Sequence, residues 1–370
     1  MSIKQLLGTF AAMSSLAMPA GATEIAGGPP NHPMPADDSK VEGSPDGAMV
    51  SPPSTGAPAA PSMEMSTPTM GRVGLTPPGI MTGASGTWML GYRYSIDRMD
   101  GNLVGGRHVS DAAVASQFMA TPTDMTMQMH MVSLMFAPTD RLTVMGMIPY
   151  VIKSMDHVTG EGERFTERAK GLGDIEVSAS YVLYSQPDLR HRLLATMGAS
   201  LPTGSINQRM EGMRQEYPMQ LGAGTVALRP GFIYLGQDEP WGWGAKLLTI
   251  VQLGQNTNGY RLGNRYEASL WGSRLVTPSV SLLFGLNGEV RRNIRGADPM
   301  LDPLDEPTKD PLRQGGRRLD ASVGVAFHPQ AGTFRGNELF LRLDAPIAQS
   351  LDGPQLKRRW GLRLELQREF

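Results

Sequence analysis

The sequence predicts an all-β protein: an antiparallel transmembrane β-barrel of about twelve strands, preceded by a disordered amino-terminal arm. Three observations predict it. First, the chain ends on WGLRLELQREF (360–370). Trp360, Leu362, Leu364, Leu366 and Phe370 share one face of a period-two strand, and Arg359, Gly361, Arg363, Glu365, Gln367 and Glu369 share the other. One face suits lipid and the other water, over the roughly 9–11 residues that a spanning strand needs. Second, the same alternation recurs from residue 87 onward. Third, the connections alternate between short and mostly longer, an asymmetry expected of a barrel with periplasmic turns and outer loops.

In chain order, residues 1–22 read as a signal peptide: Lys4 supplies a basic start, Leu6 to Pro19 an apolar run, and Ala20-Gly21-Ala22 a small-residue cleavage pattern. Residues 23–85 are rich in Pro, Gly, Ser, Ala and Met, as in GGPPNHPMP (27–35). Few large apolar side chains are available there to offset the entropy of ordering, so this stretch is expected to be a disordered periplasmic arm. The barrel then occupies 86–370. Its strands are expected near 87–97, 124–136, 141–152, 172–185, 190–203, 219–235, 242–255, 262–276, 279–292, 317–328, 337–348 and 358–370. Pro230 weakens the sixth, because it has no N–H for a ladder. Short turns near 137–140, 186–189, 236–241, 277–278 and 328–336 alternate with connections near 98–123, 153–171, 204–218, 256–261, 293–316 and 349–357, which puts both barrel ends in the periplasm. Arg93, Asp174, Glu176, Arg192, Glu267, Glu289, Arg342, Asp344 and Arg363 then face a wet lumen, since unpaired charges in a dry core are costly. A narrow lumen of this size could be plugged in part by loops or by the arm.

Composition excludes several classes. With no cysteine there is no lipid-anchor cysteine, disulfide or thiolate metal site. A net charge of −1 gives no reason to propose nucleic acid as a partner. No Gly-x-Ser-x-Gly elbow, His-Glu-x-x-His or phosphate loop occurs, and the histidines are scattered, so no catalytic residue is assigned and the chain is not read as an enzyme.

Methionine is the outlier, at 25 residues. DMTMQMHMVSLMF (124–136) places Met125, Met127, Met129, Met131 and Met135 at period two, and Met145 and Met147 follow. Thioethers select Cu(I) or Ag(I), whereas methionine is also a flexible apolar filler. A four-residue turn at 137–140 would pair Met135 with Leu142, put the five-methionine stripe on the lipid side, and leave His130, Met145 and Met147 in the lumen. Those three, with Met63 and Met65 of the arm, are the candidate soft-metal ligands. No other cofactor is expected. In the fifth outer loop, Asp298, Asp302, Glu306 and Asp310 each precede proline or lie beside one, and spaced carboxylates could take Ca²⁺ or bridge lipopolysaccharide, although a solvated loop is the plainer reading. SDAAVASQFM (110–119) is expected to form a short helix with Val114 and Phe118 on one face, as a constriction or a cover for the mouth.

The terminal strand ending in Phe370 resembles the end of bacterial outer-membrane barrels, with Arg368 as a departure. The segments 122–151, GLGDIEVSASYVL (171–183), SLPTGSI (200–206) and GAGTVALRPGFIYLG (222–236) resemble the outer-membrane transporter family named for the MetA pathway of phenol degradation. The resemblance implies a barrel in the bacterial cell outer membrane that passes small solutes. Its implied partners are outer-membrane lipid, lipopolysaccharide and the barrel assembly machinery. A channel with a link to copper handling is the leading expectation, a soft-metal-binding protein without transport the alternative, and an outer-membrane hydrolase the weaker third.

Overall fold

A computed structural model describes residues 84–370. The signal peptide, the arm, Met63 and Met65 lie outside the described residues. The barrel strands are β1 (Trp88–Gly105), β2 (Ala120–Thr139), β3 (Leu142–Thr159), β4 (Ile175–Ser185), β5 (His191–Leu201), β6 (Gly231–Asp238), β7 (Trp241–Gln252), β8 (Arg265–Thr277), β9 (Val280–Arg291) and β10 (Gly316–Phe327). A last continuous strand, Asn337–Glu369, spans 33 residues. At about 3.3 Å per residue it is far too long for one pass. Its first half (339–351) runs antiparallel to β10 and its second (355–369) antiparallel to β1, so it is a hairpin and supplies β11 and β12. Eleven uninterrupted strand segments thus make twelve passes, and the even number lets the first and last strands close the ring antiparallel.

The outward faces read as the alternation requires. Leu134, Leu270, Phe284 and Leu366 are about half exposed, on a surface that hydrocarbon would cover. Trp88, Tyr184, Trp241, Phe327 and Phe370 are exposed aromatics near the turn end, where Trp88 stacks on Phe136 at 4.4 Å between ring centroids. Amphipathic rings suit a membrane–water boundary. Arg368 lies 5.5 Å over the Phe370 ring, so the departure from the terminal pattern folds its charge back onto an aromatic face.

The turns at one end of the barrel are short, and the connections at the other end are L1 (106–119), L2 (160–174), L3 (202–230), L4 (253–264), L5 (292–315) and the tight L6 (352–354). The sixth strand begins at Gly231, later than expected, because Pro230 interrupts it; before the proline, the short strand Ala227–Leu228 still pairs with both β5 and β7. β1 is longer than expected, running to Gly105 and then turning back through a short strand at Arg107–Val109.

Candidate lumen site

The register of β2 and β3 decides which side chains line the lumen. Met135 pairs with Met145, Met131 with Pro149, Met127 with Lys153 and Met125 with Met155. A bulge between Phe136 and Thr139 separates this ladder from the closing pair Thr139–Leu142. Pro138 sits in that bulge and has no N–H to offer, so the extra residue is absorbed there. The offset from the expected pairing is odd, and an odd offset exchanges the two faces.

The expected assignment is therefore corrected. The methionine stripe faces the lumen, where Met125, Met131, Met135 and Met155 are buried and Met89, Met99, Met127, Met129 and Met145 pack against them. His130 goes to the outer face, opposite Tyr94 on β1 and Tyr150 on β3, and shares a 2.8 Å hydrogen bond between its Nδ1 and Tyr92 Oη. Met145 and Met147 remain on the lumen side, with Met147 opposite Ser133 and Glu176. The structure thus keeps Met145 and Met147 on one wall and puts His130 on the other side of it. The wrong turn length hid this in the sequence; Pro138 was the available signal.

Going round the ring from β1, methionine gives way to charge. Arg93 grips Glu365 with two hydrogen bonds, Nε–Oε2 at 2.7 Å and Nη2–Oε1 at 3.0 Å. Arg358 contacts Asp97, reaches Asp320 at 2.7 Å and lies 3.7 Å from Asp344. Arg318 bridges Asp320 (3.0 Å) and Glu289 (3.6 Å), and Arg342 and Arg363 both address Asp344. Arg265 pairs with Glu267, and Arg229 with Glu176. Charges taken from water need such mutual compensation. Nearer the turns the wall becomes apolar: Leu194, Ile233 and Leu235 cluster with Trp271, and Leu283 packs with Ala326 and Phe340.

L3 is the element that folds inward. Lys153 Nζ, on the methionine wall, donates to the carbonyls of Pro218 (2.7 Å) and Gln220 (2.6 Å), and Met219 and Leu221 bury themselves against Met125, Val151 and Met155. Three segments quoted above for their family likeness meet at the root of this loop. The Asp174 carboxylate accepts from the backbone N–H groups of Gly204 (2.9 Å) and Ala223 (2.8 Å), while Thr203 Oγ1 donates to the Gly173 carbonyl and accepts from the Ile175 N–H. A Cβ on Gly222 would collide with the Gly204 carbonyl, so the two glycines permit a backbone crossing that a larger residue would block. The expected short helix forms at Asp111–Ala115, capped by Ser110, with Val114 and Phe118 buried. It belongs to the cover, since Phe118 lies under Arg313 of L5 and Ala120 N–H reaches the Asp305 carbonyl.

The carboxylates expected in L5 do not form a solvated array. Asp298 is buried against Arg214 at 2.8 Å, Asp310 pairs with Arg313 at 2.7 Å, and Glu306 is buried beside His157.

No family model matches the sequence, and no curated protein matches it either. Among solved structures the chain is similar to the COG4313 outer membrane channel from Pseudomonas putida F1, with 18% identity, a TM-score of 0.58, and coverage of 80% of this chain and 99% of that one. More distant likenesses include the NanC porin (7% identity, TM-score 0.40, 75% and 98% covered) and the KdgM porin (10%, 0.37, 76% and 99%). The fold is that of an outer-membrane β-barrel, and its place is the bacterial outer membrane. The narrower likeness to the phenol-pathway family has no matching family model behind it.

Proposed function

We propose that the protein is an outer-membrane channel for small solutes, and that it favours amphipathic ones. The observation that carries the reading is the two-sided lumen, thioether along β2–β3 and paired arginine and carboxylate along β9–β12 and β1. A solute with an apolar body and a polar or charged group finds a partner for each at the same depth. Because the lumen charges are mutually paired, selection for one ion sign is weak. L3 narrows the path, and the apolar side chains nearer the turns form a region that small ions cross poorly unless it is wetted. Purified protein in planar bilayers is expected to give discrete conductance steps that amphipathic solutes block more strongly than sugars of equal size. A folded barrel that stays silent, or that is blocked equally by both, overturns the reading.

A second reading rests on the lumen position of Met89, Met135 and Met145, which pack together near the turn end. Three converging thioethers are a soft-ligand set suited to Cu(I) or Ag(I). Calorimetry with Ag(I) tests it: no saturable heat removes the reading.

A further inference from the structure

Above the membrane, three loops bring their acids to one histidine. His157, on the outer end of β3, presents Nε2 3.9 Å from Glu216 Oε1 of L3 and 3.5 Å from Glu306 Oε2 of L5. One donor atom from each of the three lies within 4.8 Å of the others. Two donors that each sit about 2.2 Å from a common ion are at most about 4.4 Å apart, so the cluster is within a small contraction of a coordination sphere. All three residues are buried, Glu216 completely, and Glu167 on the L2 strand Arg164–Leu172 is buried next to them. Each stands at a defined place: Glu216 precedes the turn Tyr217–Met219, Glu306 precedes Pro307–Lys309, and the His157 ring stacks on Phe165 at 4.8 Å.

The polar atoms here lack ordinary partners. Neither ring nitrogen of His157, neither carboxylate oxygen of Glu216, nor Glu167 Oε2 has a hydrogen-bond partner among the described residues. Glu306 is better served: Thr308 Oγ1 donates to it at 3.1 Å, and Lys309 Nζ is 3.5 Å away. Lys153 is committed to the Pro218 and Gln220 carbonyls. Three buried acids face one imidazole, and their unpartnered atoms are idle donors.

We propose that His157, Glu216 and Glu306 bind a first-row divalent ion of the Zn²⁺ class, with Glu167 as a fourth ligand, and that this ion ties L2, L3 and L5 together over the barrel mouth. An imidazole among carboxylates suits Zn²⁺ or its neighbours and not Ca²⁺, which takes oxygen alone. Full burial marks a closed, structural site, whose service is to hold L3 in its inward position.

The test uses tag-free, full-length protein, stripped with EDTA and titrated calorimetrically with Zn²⁺ and with Ca²⁺. One saturable Zn²⁺ site per chain and none for Ca²⁺ is expected. Glu216→Gln and His157→Gln should each weaken binding by about tenfold or more, whereas Glu163→Gln, which alters an exposed acid of L2, should not change it. Zn²⁺ should also slow proteolytic cleavage within L3 and L5 of the unaltered protein. No saturable Zn²⁺ heat, or equal heat in the Glu216 and His157 variants, overturns the proposal. Should those variants fail to fold, cleavage of the unaltered protein that Zn²⁺ leaves unchanged overturns it instead.

Discussion

The methionines of β2 and β3 and the ion pairs that begin at Arg93 share one lumen and even touch in register, since Arg93 stands opposite both Met131 and Glu365. Among the methionines of that wall, contact is non-directional: flexible thioethers fill whatever space L3 leaves, and no thioether depends on one partner. On the charged wall, nearly every group depends on a named neighbour, as Arg358 does on Asp97, Asp320 and Asp344. The difference teaches where the barrel tolerates change. A methionine exchanged for another apolar residue loses shape, but an arginine removed takes compensation from every carboxylate it touches and, at Arg358, leaves Asp97 unpaired.

That contrast can be broken by experiment. The largest effect is expected from Arg358→Met, which leaves Asp97 without its ion-pair partner and takes one arginine each from Asp320 and Asp344; it should lower unfolding free energy by about 3–5 kcal/mol, read as an earlier loss of the compact band on gels of samples heated stepwise. A cost near zero would mean that water screens the network. Next comes a paired test of the faces. Leu134→Arg, on the lipid side, should cost about 2–4 kcal/mol near mid-membrane, whereas Met129→Arg, on the lumen side, should cost much less and shift ion selectivity toward anions. The opposite order would reverse the assignment of the stripe. Lys153→Met removes the tether to two L3 carbonyls; a loss of about 1–3 kcal/mol and a larger single-channel conductance are expected, and an unchanged conductance would separate L3 from the permeation path. The smallest change in stability, under about 1.5 kcal/mol, is expected on replacing Met89, Met135 and Met145 by leucine, with any Ag(I) binding lost. Retained Ag(I) heat would move that binding elsewhere.

Much of the architecture was legible in the sequence because a strand with one lipid face and one wet face repeats every second residue. The strand positions, the alternation of short and longer connections, the helix in L1 and the two faces of the last strand follow from that pattern. Arg93, Glu289, Arg342, Asp344 and Arg363 were readable as lumen residues for the same reason, and they engage in ion pairs. What was not legible depends on contacts between distant segments. The face of the methionine stripe turned on one bulge, which a count of turn residues does not reveal. The knot at Asp174 and the cluster at His157 join residues from separate loops, and nothing in the spacing of His157, Glu216 and Glu306 announces that they meet.

The bulge at Pro138 has a consequence for how such a barrel can vary. Pairing along a ladder has a parity, and parity alone decides which half of a strand's side chains belongs to the membrane and which to the passage. Here one imino acid near a two-residue turn sets that parity for the twenty residues of β2, Ala120–Thr139. An insertion or deletion of a single residue beside it would exchange thioethers for Val132, Leu134 and His130 inside the lumen without altering any strand's composition. Sequence change at this turn therefore acts as a binary selector of lumen chemistry, a far coarser lever than any point substitution along the wall.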